Sequence, residues 1–161
     1  MSGDARCVGA PIADMDEVLS RVAHALKTKS GEPTRGAFLP SRSHFVPGTD
    51  DRGGLSTARA AQPPVDVYLQ YVDGKAGRRA SGVLGVSVAG FKAAGQAVGH
   101  DLPIHDDGGI GSNPEHHASV WYPLHEGATP SAEKRSHERI AKQVVPLAVV
   151  LYTAPIGDGY Q

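Results

Sequence analysis

The sequence predicts a loop-rich α+β domain: a small sheet of about three or four short strands covered by three or four helices. Two observations carry that expectation. The chain holds 20 Gly and 12 Pro in 161 residues, well above the usual share, so much of it must be turn and loop. Helix-like and strand-like stretches alternate, yet too few are present for a doubly wound sheet. The length suits one domain of ordinary size. Residues 1–10 read as a disordered lead, 11–154 as the domain and 155–161 as a flexible tail.

Met15, Leu19, Val22 and Leu26 fall at helical spacing and predict a helix over 11–29. Asp14 would cap it, Asp16 and Glu17 would meet its positive end, and Lys27, Lys29 and Gly31 would close it. Residues 30–62 carry Pro33, Pro40, Pro47 and the pair Gly53–Gly54, and no periodicity persists there. An extended surface segment is expected, with short strand pieces at Phe38–Leu39 and Leu55–Thr57. A loop of that length usually has a function, which draws attention to 38–59. Pro63–Pro64 open a helix carrying Val65, Tyr68 and Val72 on one face, and Gly74 ends it. Gly82–Val88 reads as a buried strand, followed by a short helix Ala89–Val98. Gly99–Pro114 is expected to be a second long loop. The strand His116–Tyr122 would place His117, Ser119 and Trp121 on one face. Ser131 is read as the cap of a helix from Ala132 to about Val145, which Pro146 disturbs before a last strand, Leu147–Thr153.

Bulk properties narrow the function. The formal charge of −1 argues against a strongly basic domain held on nucleic acid by phosphate contacts, and against a polybasic membrane-surface protein. No apolar run approaches the roughly 20 residues of a bilayer-spanning helix. The first residues lack the apolar core of a secretory signal, and the single cysteine, Cys7, has no intrachain partner, so a cytoplasmic setting is expected. With three Phe and one Trp the core must rest on Val, Leu and Ala, which favours modest stability or a partner over exposed apolar surface.

Three stretches carry a resemblance. They are His44-Phe-Val-Pro47 with Gly54-Leu-Ser-Thr-Ala-Arg59, then Ser81-Gly-Val-Leu-Gly-Val-Ser-Val-Ala-Gly90, then Asn113-Pro-Glu-His-His-Ala-Ser-Val120. In order and spacing they resemble a small family of uncharacterised bacterial proteins with HFxP…GLSxxR, SxGVxxVSV and NPxHAxV-like motifs. The resemblance covers residues 38–145. It departs where Gly90 or Phe91 replaces a glutamate and where His116 and His117 both stand near the position of one histidine. It implies candidate positions and no chemistry.

The sharpest constellation is His44, Asp51 (or Asp50), Arg59 and His117. Imidazole moves protons near neutral pH, guanidinium fits phosphate or carboxylate, and a carboxylate can fix one imidazole. Such a group can cleave a phosphodiester without a metal or simply hold an anion. The competing structural reading is that His44 and Arg59 tie down the long loop. His100, His105, His116, His117 and His125 crowd one region with Asp101, Asp106 and Asp107, but no helical ligand pair or paired cysteines occur, so no metal is expected. Gly108–Asn113 reads as a turn-rich loop, and no other cofactor is expected. Ser56 lacks the elbow of a serine nucleophile. Lys75, Arg78 and Arg79 form a basic run that can touch RNA or an acidic partner. The favoured function is a non-catalytic binding or accessory protein of a bacterial operon, with a protein partner or self-association. The alternative is a small metal-independent hydrolase or transferase acting on RNA or a nucleotide through a His/Arg/His site.

Overall fold

The computed structural model describes residues 4–24 and 39–155. Seven strands lie there in one sheet: β1 (Ala10–Pro11), β2 (Val18–His24), β3 (Gly54–Ala58), β4 (Ala80–Ser87), β5 (Ile104–Asp106), β6 (His117–Trp121) and β7 (Val149–Thr153). Their spatial order is β1-β5-β6-β3-β2-β4-β7, and every neighbouring pair is antiparallel. Three helices accompany them: α1 (Pro64–Asp73), α2 (Val88–Ala97) and α3 (Pro130–Val144). The fold is α+β, but the expected sheet of three or four strands is corrected to seven. Strands β1 and β5 span two and three residues, too short to show an alternation, and exist because longer neighbours pair with them.

The predicted helix over 11–29 is also corrected. Its residues 18–24 form β2, paired along its whole length with β4 from Val18↔Ser87 to His24↔Ala80. Helical spacing misled because β2 is covered on both faces, so apolar side chains need not alternate with polar ones. Leu19 and Ala23 enter one core, and Val22 packs against the other. Met15, the first residue of the supposed stripe, is exposed. The Asp14 carboxylate accepts from the Asp16 N–H in a local turn and caps no helix. Leu26, Lys27, Lys29, Gly31 and Phe38 lie outside the described residues.

The sheet is covered on both sides. Leu19, Leu55, Leu84, Val86 and Val120 face α2 and α3 in the larger core, where the Phe45 and Phe91 rings meet edge to face, 6.4 Å between centroids. Ala58 and Val83 face Val67 and Tyr68 of α1 in a smaller one. Val83 and Leu84 are consecutive and point into opposite cores, as the two-residue period of a strand requires. Helix α3 is capped by Thr129, whose Oγ1 accepts from the Ala132 N–H, and not by Ser131. No described helix is long and apolar enough to cross a membrane.

Strands β2 and β3 pair only at Ser20↔Ala58. Past that point they part, and Arg21 from β2 fills the gap. Its Nη1 donates to the Ser56 carbonyl at 2.7 Å and its Nε to the His44 carbonyl. One guanidinium thus replaces the missing ladder bonds and pins the turn at Arg42–Phe45 to the sheet.

Candidate functional site

The four sequence candidates end in different surroundings, and only His117 lines the cavity on the α1 face. His44 is buried. Its Nδ1 accepts from the Ser41 N–H at 3.1 Å, so Nε2 carries the proton and faces the His24 carbonyl at 3.2 Å. Both ring nitrogens serve the fold. Burial, the nearby His24 and Arg21 hold its pKa down to about 4, so the ring is neutral at pH 7. Asp51 is exposed and its Oδ2 accepts from the Gly48 N–H in a turn.

Arg59 is spent in an ion triad. Its Nε and Nη2 grip both oxygens of Glu17 at 2.6 and 2.7 Å, and its Nη1 reaches Asp106 Oδ2. Two carboxylates answer one guanidinium, which leaves no surplus positive charge for a ligand anion. The pairing lowers the Glu17 pKa and raises that of Arg59. These contacts are those that the structural reading of His44 and Arg59 expects.

His117 has a different environment. It stands on β6 with Nδ1 at 2.6 Å from Asp107 Oδ1. The other Asp107 oxygen accepts from Ser119 Oγ at 2.6 Å. Asp107 is only 2% exposed, and a buried carboxylate accepts here from two donors. The Nδ1 atom accordingly carries the proton, and Nε2 of the neutral ring is an acceptor. Among the described residues Nε2 has no hydrogen-bond partner. The register explains the contact. Asp106 pairs with Ala118 across β5 and β6, so the next rung sets Asp107 against His117. Asn113 Nδ2 donates to the Asp107 carbonyl and folds the intervening loop back.

The cavity, about 540 Å³, lies between β2, β3, α1 and the loop before β6. Arg21, His24, Ser56, Tyr71, Arg78 and His117 are among its lining residues, and none of the lining residues is acidic. The Arg78 guanidinium lies over the Tyr71 ring, 5.0 Å from its centroid. Arg21 meets two backbone carbonyls and, among the described residues, no carboxylate within ion-pair distance. Burial pushes its pKa and that of His24 down. Two guanidinium groups thus line a recess that has no acidic side chain in its wall.

Other sequence features resolve plainly. Among the described residues no three His, Cys, Asp or Glu side chains gather as a metal site. His105 Nδ1 is bonded to the Gly9 carbonyl, and His116 lines a second recess with Arg59 and Glu17. Trp121 lies under the Arg6 guanidinium, 5.0 Å away, and is half-buried. Sequence reasoning missed Asp107 as the partner of His117, because it placed both in a loop-and-strand region without seeing β5. It missed Arg21 and His24 because it folded them into a helix. No protein-family model matches the chain, and no curated protein or solved structure shows significant similarity to it.

Proposed function

We propose that this protein binds a phosphate-bearing ligand in the cavity between α1 and the sheet. One observation carries the reading: a recess of ligand size is lined by two arginines and two histidines and by no carboxylate. A buried guanidinium that donates to two carbonyls, with Asp51 acting on it only from beyond ion-pair distance, gains from an anion, and Arg78 adds a second fork at the wall. The apolar atoms of Val67, Tyr71 and Pro114 offer contact area for an attached organic group. The lone Cys7 agrees with a reducing compartment such as the cytoplasm.

Calorimetric titration with a nucleoside monophosphate and with a short single-stranded RNA tests this. Binding is expected to weaken as salt rises, and Arg78→Ala, an exposed change, is expected to weaken it about 10-fold. Absence of binding by either anion, or an Arg78→Ala variant with wild-type affinity, would overturn the reading.

A second reading, an accessory role through self-association, is favoured by the β7 edge. Strand β1 at the other edge is two residues long and contains Pro11, which blunts it. Among the described residues strand β7 is an outer edge with Val149, Val150 and Leu151 exposed, and the chain carries no charged residue from Gln143 to Gly157. A second copy would meet a matching neutral strand about a two-fold axis. Light scattering is expected to give a dimer that Val150→Lys converts to monomer. A wild-type monomer at high concentration would remove this reading.

A further inference from the structure

We infer that the cavity is a catalytic site for ribonucleotide phosphodiesters, with His117 as general base and Asp107 as its positioning residue. The inference rests on the anion-binding reading and deepens it.

A base needs a free lone pair, a fixed tautomer and access to the reacting group. His117 has all three. Asp107 accepts a hydrogen bond from Nδ1–H at 2.6 Å, its second oxygen is held by Ser119, and the ring lines the cavity with Nε2 unpartnered among the described residues. A buried carboxylate behind an imidazole also stands against the positive charge that the ring acquires with a proton. Structural histidines lack this combination. His44, with both nitrogens bonded inside the fold, shows the contrast.

The nucleophile is not a protein hydroxyl held by the dyad. Ser119 Oγ donates to Asp107 and Thr57 Oγ1 donates to the Ala118 carbonyl. Ser20 is buried. Ser56 faces Ser119 in the ladder, one diagonal from His117, and no hydrogen bond joins it to the ring. A ribonucleotide diester brings its own nucleophile, the 2′-hydroxyl beside the phosphorus. Intramolecular attack needs from the protein only an oriented base and cations for the developing charge. Arg21, whose guanidinium fills the gap between β2 and β3, and Arg78 line the same cavity as His117. Lys75 follows α1 in the same segment as Arg78 and extends the positive surface along which a polynucleotide backbone can run.

The step balances as follows. His117 Nε2 takes the proton of the 2′-hydroxyl while its oxygen bonds to phosphorus and the bond from phosphorus to the 5′ oxygen breaks. The departing 5′ oxygen takes a proton from water, and the hydroxide so formed takes the proton back from the imidazolium. The products are a 2′,3′-cyclic phosphate and a 5′-hydroxyl.

The test uses the full chain, a short end-labelled single-stranded RNA and the same strand with 2′-deoxyribose throughout. RNA is expected to be cut to 2′,3′-cyclic ends, and the deoxy strand to bind without being cut. His117→Ala is expected to slow cleavage by about 100-fold or more while RNA affinity stays within a few-fold of wild type. Asp107→Asn is expected to lower kcat with little change in KM, and to shift the pH–rate profile, which a merely structural role would not do. Should Asp107→Asn fail to fold, the deoxy strand and His117→Ala still decide. RNA that binds and stays intact, cleavage of the deoxy strand, or full activity in His117→Ala would each overturn the inference. Intact RNA with retained affinity would leave the binding reading standing, whereas loss of binding to both RNA and a nucleoside monophosphate would end both.

Discussion

Lowering the pH from 7.5 to 4.5 is expected to destabilise the protein by about 2 kcal/mol through His44. In the folded state that ring has a pKa of about 4, against 6.5 for an unperturbed histidine. Between these values the unfolded chain binds a proton that the folded chain refuses, so stability rises with pH through this window and is lost as pH falls from 6.5 toward 4. The full shift corresponds to about 3 kcal/mol, taken down here because the bonds of the ring relax when it charges. The pKa of His24 is lowered by burial and by Arg21, with the same sign, and its loss adds to that of His44. Glu17 and Asp4 have lowered pKa values, so their stabilisation is present above the ordinary carboxylate range and is lost as pH falls through and below it. Denaturant unfolding at several pH values reads the slope directly. His44→Gln is expected to flatten it, and an unchanged slope in that variant would show that another group carries the acid sensitivity.

Arg59→Ala is expected to cost about 2–3 kcal/mol and to lower Tm by roughly 5–10 °C. The guanidinium is 27% exposed in its side chain, and Glu17 only 11%, so removal leaves a largely buried carboxylate without its partner. The triad joins the segment before β2, the end of β3 and the end of β5, three pieces far apart in sequence. Its loss should loosen β5, and with it the rung that holds Asp107 against His117. Arg59→Lys keeps one charge but cannot grip both Glu17 oxygens, so an intermediate loss is expected. Thermal unfolding followed by circular dichroism measures both. A change below about 0.5 kcal/mol for the alanine variant would show that the ion triad contributes nothing net.

These two residues also show where sequence reading stops. His44 and Arg59 were visible as reactive types in a long loop, but a side chain acts only with the lone pairs and charges left over after folding. The backbone of Ser41 and His24 consumes both nitrogens of His44, and Glu17 with Asp106 consumes Arg59. None of these partners except Ser41 lies close in the chain. His117 differs in that its one partner holds Nδ1 and Nε2 has none among the described residues, while the residue lines the cavity.

What the sequence determined by itself is local. The run Val83–Ser87 made a strand, with Val88 already the first residue of α2, Pro63–Pro64 opened α1, and the alternation from His117 to Trp121 set which side chains share a face, because each depends on φ, on period or on a cap within a few residues. What only the tertiary structure decided is pairing. Residues 18–24 have the spacing of a helix and became a strand because seven rungs with β4 and burial on both faces outweigh a weak local preference. The same long-range pairing formed β5, set Asp107 against His117 and opened beside Arg21 the gap in which the guanidinium lies. Short-range patterns carry no record of such partners, since the free energy that selects them comes from contacts between residues remote in the chain.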